Sequence, residues 1–315
     1  MALLKYILKK MLMLLPVLVG ISIVAFALGI MSPGDPVDQV LNPNGNESYT
    51  QAEYDAMAAK MGLDQPAVVQ YFNWVDGLVH GDLGRSFFTN KSVMNQLVKR
   101  IPISLKLAGF SMILTIVFGV GFGVLMAVKK DRLLDHVLGT FSTAALSVPG
   151  FWIAIVLIFL FAEQWKLLPS SGISGGSGFI LPAVTLALPS IGARLTRSAI
   201  LDEIGCQYMT VADAKGMSRR HAVICHAFGN ALIPIITYLG NHMAGIIGGA
   251  SIVETIFAIP GIGSYAIAGV QSKDYYVVQA YVLFSGCIYV LTNILIDLIY
   301  IALDPKIRAG EAVES

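Results

Sequence analysis

Four stretches of this chain run for more than twenty residues without an Asp, Glu, Lys or Arg: Met11–Met31, Leu107–Val128, Val137–Ala162 and Ala231–Val253. A helix needs roughly 20 apolar residues to cross a hydrocarbon core about 30 Å thick, so each is long enough to span a bilayer. A fifth, Tyr275–Ile296, continues to Leu303 with only Asp297 inside it. A sixth, Phe179–Ala193, is the weakest, with 15 uncharged residues that include Pro182 and Pro189. Its apolar character runs on past Arg194 and Arg197 to Leu201, and long basic side chains snorkel at a membrane edge. One more apolar run, Ile256–Val270, holds Pro260, Gly261 and Gly263 and is too short to cross. It reads as a re-entrant or interfacial segment, tolerated only where protein covers its backbone. Charged residues make up 13% of the chain, against about a quarter in soluble domains. The expectation is therefore an all-α polytopic membrane protein of about six transmembrane helices.

Basic residues set the orientation. With both termini cytoplasmic, the inside receives Lys5, Lys9, Lys10, Lys129, Lys130, Arg132, Arg194, Arg197, Lys215, Arg219, Arg220, Lys306 and Arg308. The short outside loops keep Lys166 and Lys273, so the division is thirteen against two. Lys5, Lys9 and Lys10 before the first span, and Ala25-Phe26-Ala27 within it, resemble a signal peptide. The apolar run of 21 residues exceeds the usual core of about 7–15, which favours an uncleaved anchor.

The chain then divides into a cytoplasmic N-terminus and first span (1–31), an extracytoplasmic helical segment (32–104), a five-span core (105–305) and a cytoplasmic tail (306–315). In the helical segment, Thr50 and Glu53 form a capping box before a helix that stops near Gly62. A second helix follows Pro66, with Tyr71, Phe72 and Trp74 as its aromatic face. This segment reads as a small helical cap.

Several chemistries are missing. There is no Gly-Lys dipeptide, hence no phosphate-cradling loop for a nucleotide. H-E-x-x-H is absent as well. Ionisable groups in the spans are confined to Asp297, Glu163 and Glu254 near their ends, too few for an ion relay. Three cysteines, Cys206, Cys225 and Cys287, make neither a disulfide framework nor a metal site. Total charge is nearly balanced, 21 Lys+Arg against 20 Asp+Glu, with no basic field for nucleic acid. Uphill transport by such a chain has to draw its energy from another subunit.

Between the fourth and fifth spans lies a long cytoplasmic loop, 201–230, reading LDEIGCQYMTVADAKGMSRRHAVICHAFGN. Two short helices are expected, Asp202–Lys215 and Arg219–Phe228, with Gly216 at the break and Ser218 capping the second. A stiff hairpin of this kind transmits force from a cytoplasmic partner; an amphipathic connector on the headgroups is the alternative. In the fifth span, Asn241 and His242 are polar groups at mid-helix, candidates for a water-filled path or an interhelical hydrogen bond. Gly119 and Gly123 form a G-x-x-x-G, read first as close helix packing and second as a sliding contact. His221 and Cys225 are four apart, but two ligands alone make a poor metal site.

The stretch Ala193–Met217, ARLTRSAILDEIGCQYMTVADAKGM, resembles the coupling loop of bacterial ABC-importer permeases of the peptide/nickel branch. Further matches follow in family order: PGDP (33–36), GLDQP (62–66), HGDLGRSF (80–87), ETIFAIPGIG (254–263), DYYVVQA (274–280) and DPKIR (304–308). Thr210 and Val211 replace the loop glutamate and first alanine of the wider superfamily, leaving Ala212 and Gly216 as the matching positions. The resemblance implies a type I ABC importer transmembrane domain in a bacterial inner membrane. It also implies a second related permease, two cytoplasmic ATPases that bind ATP-Mg, and an extracytoplasmic solute-binding protein. No cofactor is expected in this chain, and no enzymatic activity. On that basis Tyr208, Ala212, Ala214, Lys215, Gly216 and Met217 face an ATPase groove, Asn241 and His242 line the path, and the solute is a small peptide or a nickel or metal chelate. A stand-alone secondary carrier would instead show paired broken helices and buried ion ligands.

Overall fold

The computed structural model describes residues 2–31, 34–42, 45–46, 48–173, 175–214, 216–223 and 227–303. Among these the protein is all helix, with one isolated β-bridge between Arg85 and Ser92. The elements are α1 (Ala2–Ile30), α2 (Pro36–Leu41), α3 (Gln51–Met61), α4 (Ala67–Val79) and α5 (Val93–Val128). There follow α6 (Leu133–Ser147), α7 (Gly150–Gln164), α8 (Gly176–Ala187) and α9 (Ala193–Ile204). The last are α10 (Gln207–Ala214), α11 (Arg219–Ala222), α12 (Phe228–Ile256), α13 (Ile262–Gln271) and α14 (Tyr275–Leu303).

All six apolar stretches fall on helices, but the helices are less regular than the stretches. Among the described residues, α5 and Tyr275–Ala302 of α14 each have the length and composition to cross a membrane. The stretch Val137–Ala162, expected as one straight span, is α6 and α7 meeting at a 104° bend. Pro149 causes it: proline lacks an N–H and pushes the preceding residue out of the helical region, and Val148 is extended at φ −89°, ψ 130°. Phe179–Ala193 is interrupted differently: Leu188, before Pro189, stays helical at φ −57°, ψ −50°, and α8 is followed by a 3₁₀ turn at Leu188–Ser190 that ends at Ile191, φ −73°, ψ 86°. Helices α5 and α7 each contain a π-helical segment, Thr115–Val120 and Ile158–Gln164. In the second, Trp165 N–H donates to Leu160 O at 3.0 Å, five residues back.

The chain forms two compact units, Met1–Ser104 with Pro260–Val290, and Leu105–Ile259 with Leu291–Ser315. In the first, the expected capping box is present: Glu53 N–H donates to Thr50 Oγ1 at 3.3 Å and Thr50 N–H to Glu53 Oε2 at 2.7 Å. Helix α3 ends at Gly62, which takes φ +70°. Helix α4 docks on α1 through Tyr71 and Trp74, whose rings lie 5.3 and 6.0 Å from Phe26. Phe72, expected on that aromatic face, is 64% exposed, because one residue along a helix turns the side chain by about 100°. The short apolar run after α12 is a turn and the ten-residue α13, whose first N–H (Ile262) donates to Ser104 Oγ at 2.9 Å. Arg100 lies over the Tyr265 ring at 4.7 Å.

In the second unit, the last turns of α5 pack on α9, and α9 on α12. The contact is close at Gly123, where a Cβ would stand 2.3 Å from Thr196 Cβ and 2.8 Å from Ala193 O. At Gly119 it would stand 3.4 Å from Gly192 N. The G-x-x-x-G is thus a packing seam between α5 and α9. Gly121, between them, has nothing within 4 Å of a built Cβ. Gly123→Ala is expected to destabilise by about 1–3 kcal/mol through overpacking, whereas Gly121→Ala leaves stability unchanged or slightly raised. Thermal melting of the two variants in detergent or nanodiscs checks this, and equal melting temperatures would remove the seam.

Candidate functional site

The loop 201–230 grows out of α9 without a break until Gly205. There Gly205 N–H donates to Leu201 O at 3.2 Å, Cys206 N–H turns back to Glu203 O at 3.1 Å, and α10 starts afresh at Gln207. The first loop helix is therefore two pieces divided at Gly205, not one over Asp202–Lys215. Of the second expected helix, Arg219–Phe228, the first turn is α11 (Arg219–Ala222), Val223 and Ala227 are π-helical, Phe228 begins α12, and residues 224–226 lie outside the described residues. Between α10 and α11, Gly216 takes φ +77° with nothing within 4 Å of a built Cβ. A side chain there would have room but an unfavourable backbone. Ser218 caps α11, its Oγ accepting from His221 N–H at 3.4 Å and its carbonyl from Ala222 N–H at 3.0 Å.

Of the expected contact residues, Tyr208, Ala214 and Gly216 are exposed and Met217 is half-buried. Ala212 lies within α10. Lys215, Cys225 and the tail 306–315 lie outside the described residues. Tyr208 donates its hydroxyl to Glu203 Oε2 at 2.7 Å, across the Gly205 break. Burial, and then that hydrogen bond, push its phenol up, so it remains a neutral hydroxyl at physiological pH. Among the described residues no group of three or more His, Cys, Asp or Glu is placed to hold a metal.

Packing behind the loop is what sequence reasoning did not reach. Met209 of α10, Ala222 of α11 and Val223 just after it are buried in one apolar cluster with Ala127 of α5, Ala199 and Ile200 of α9, and Ala231 and Ile235 of α12. The loop thus shares a core with α5, α9 and α12. The sequence signal was the helical spacing of Ile200, Ile204 and Met209, masked by the break at Gly205. A second omission is Asp135, which is buried and receives both Arg197 Nε and Nη2 at 2.7 Å. It also accepts from Asp131 N–H at 2.9 Å, tying α6 to α9 just ahead of the loop. From the sequence, Arg197 reads as a snorkelling and orientation charge, with no ion-pair partner in view.

On α12, Asn241 is exposed and His242 half-buried, so the two diverge as adjacent helix positions must. The His242 ring stacks on Tyr238 at 5.8 Å and 7°, and its Nε2 is buried without a partner among the described residues. One turn earlier, the Thr237 and Tyr300 hydroxyls hydrogen-bond each other.

Residues 119–309 match the family model of the binding-protein-dependent transport system inner membrane component, and residues 3–108 match the N-terminal model of such membrane components. The chain belongs to this family. It is 36% identical over 313 residues to a probable peptide ABC transporter permease of Sinorhizobium fredii, covering 96% of this chain and 99% of that one. It is 34% identical over 338 residues to the dipeptide transport system permease of Escherichia coli K12, covering 97% and 99%. To a glutathione transport system permease of E. coli it is 32% identical over 307 residues, covering 97% and 99%. Its fold is similar to a chain of an inward-facing methionine ABC transporter at a TM-score of 0.57 and 19% identity, covering 67% of this chain and 97% of that one. The protein is a membrane-spanning permease subunit of an ABC importer and not an enzyme.

Breaking the Arg197 ion pair leaves Asp135 buried without its cation. Arg197→Gln is expected to cost about 2–3 kcal/mol, discounted because the guanidinium is partly exposed. The double change Asp135→Asn with Arg197→Gln should restore part of that loss. Melting temperatures of wild type, both singles and the double form the cycle, and additive losses would show no coupling.

Proposed function

We infer that this permease carries small peptides inward as one half of a translocation path, paired with a second, related permease. Two cytoplasmic ATPases, which bind the ATP-Mg, dock on the loop 201–230, and an extracytoplasmic binding protein delivers the peptide. Both termini are then cytoplasmic and residues 32–104 extracytoplasmic, as the basic residues favour. The observation that carries this reading is the apolar core joining α10 and the α11 region to the ends of α5, α9 and α12. A push on the loop, which carries Tyr208, Ala212, Ala214, Lys215, Gly216 and Met217, moves packed side chains on α5, α9 and α12 at once. The named relatives handle peptides or glutathione, which supports a peptide over nickel or a metal chelate as the solute.

The test is peptide uptake by the complex reconstituted with its binding protein. Gly216→Trp should leave assembly intact and lower peptide-stimulated ATP hydrolysis and uptake together, at least tenfold. Uptake at the wild-type rate would overturn the coupling role. Asn241 and His242 are assigned to the path. His242→Gln keeps a donor and an acceptor and is expected to hold peptide uptake within about twofold, while His242→Leu lowers it at least tenfold with the melting temperature unchanged. If the complex instead melts earlier with Leu and turnover per folded complex stays the same, His242 is structural.

A further inference from the structure

In the second unit, α6 and α9 leave a cleft of about 380 Å³ between them, lined also by Met126 of α5 and within the size range of small-ligand sites. Its walls are two helix faces. On α6, His136, Thr140 and Thr143 fall at i, i+4 and i+7 and so form one row. On α9, Arg194 and Arg197 stand about one turn apart.

The two arginines are used differently. Arg197 gives both Nε and Nη2 to Asp135 at 2.7 Å and lies 3.9 Å from Asp131. Arg194 gives Nη1 to Thr143 Oγ1 at 2.9 Å and has no carboxylate in ion-pair range among the described residues. The Thr143 hydroxyl donates in turn to Gly139 O at 2.9 Å, which turns its lone pairs to Arg194. Arg194, Thr140 and His136 are all exposed, so a ligand in the cleft can reach their polar atoms. Lys129, Lys130 and Arg132 stand exposed in the turn that leads into α6. Both carboxylates of this region, Asp131 and Asp135, lie against Arg197, so the surplus around Arg194 is positive. An arginine fork with free N–H groups is the complement of a phosphate.

Depth singles out a lipid phosphate. The charge-free stretch Val137–Ala162 begins directly after His136, and the stretch Phe179–Ala193 ends directly before Arg194. Both walls therefore pass from charged to apolar at the cleft, which is headgroup level for a spanning helix. Beside the polar row of α6 runs an exposed apolar one, Val137, Phe141 and Ala144, again at i, i+4 and i+7. On the orientation inferred above, this edge is the cytoplasmic one, where basic pockets between spanning helices take anionic headgroups.

We propose that this cleft binds the phosphate of an anionic phospholipid, held by Arg194 and the Thr140 hydroxyl, with its acyl chains along Val137, Phe141 and Ala144. The lipid then sits against α9 about three turns ahead of Gly205, where the loop breaks away. A zwitterionic lipid brings an ammonium into the same positive surplus and is the poorer ligand.

The probe is a phosphatidylglycerol with a diazirine on one acyl chain, photolysed with the full complex in detergent, the labelled peptides being read by mass spectrometry. Saturable labelling of α6 is expected, with unlabelled phosphatidylglycerol competing at least tenfold better than phosphatidylcholine. Arg194→Gln and Thr140→Val should each lower the labelling at least fivefold, and Arg194→Lys, which keeps the charge and loses the fork, should fall between. Both side chains are exposed, so melting temperatures without added lipid should match the wild type. Should Arg194→Gln melt early, Thr140→Val decides. Added phosphatidylglycerol should raise the melting temperature of the wild type and not of Arg194→Gln. No labelling of α6, or equal competition by phosphatidylcholine, means an unselective annular contact and overturns the proposal. An equal loss in the double variant Lys129→Gln with Lys130→Gln means a diffuse surface field and overturns it too. Displacement by millimolar inorganic phosphate would make this a site for a free anion, and displacement by trialanine a part of the peptide path; either removes the lipid. Labelling that appears only after the ATPases are stripped away means that a subunit covers the cleft, which overturns it equally.

Discussion

Met209, Ala222 and Val223 are buried among Ala127, Ala199, Ile200, Ala231 and Ile235, and this packing decides what the loop can do. A connector lying on lipid headgroups would bury its apolar residues in the bilayer and could slide. Here the same residues are inserted between long helices, in a cluster where four of these eight members are alanines. Small side chains let the backbones approach closely, and close-packed interiors respond to displacement by moving together. Full burial of a side chain like Met209 contributes about 1.5–3 kcal/mol, enough to hold the contact through a working cycle. The Gly123 seam and the Asp135–Arg197 pair extend the same block, fixing α5 and α6 to α9.

Much of this was legible in the residues, and the failures share a cause. Spans appear in sequence because hydrocarbon tolerates no charge, so twenty-residue gaps between charged groups are hard to produce otherwise. The capping box at Thr50 and Glu53 was legible for the same kind of reason, a local rule with a single geometric solution. Gly216 belongs with it, its φ of +77° being a conformation that glycine alone adopts freely. The bend at Pro149 was harder. Proline inside an apolar helix is often tolerated, as Pro16 in α1 and Pro234 in α12 show, and only tertiary packing decides which proline breaks its helix. Phe72 and Asp135 were misjudged or overlooked because their roles depend on which neighbour lies opposite, information that periodicity does not contain.

In the candidate path, an adjacent polar pair was visible, yet its division was not. His242 turns inward to stack on Tyr238, while Asn241 stays exposed. The cleft between α6 and α9 was invisible for a related reason. Its Thr140 and Arg194 lie 54 positions apart in the chain, and nothing in either segment announces the other.

The π-helical segments of α5 and α7 have a dynamic consequence. Each holds more residues per turn than an α-helix would, so one residue is surplus to the regular winding. A surplus of this sort is not tied to one place. It can pass along the helix a residue at a time, exchanging one hydrogen bond for its neighbour at each step while the rest of the ladder stays closed. The segment it passes is turned by about 100° and advanced by about 1.5 Å. Thr115–Val120 includes Gly119, the first residue of the glycine seam, so such a screw step would rotate the N-terminal part of α5 while the turns from Gly123 onward stay packed on α9.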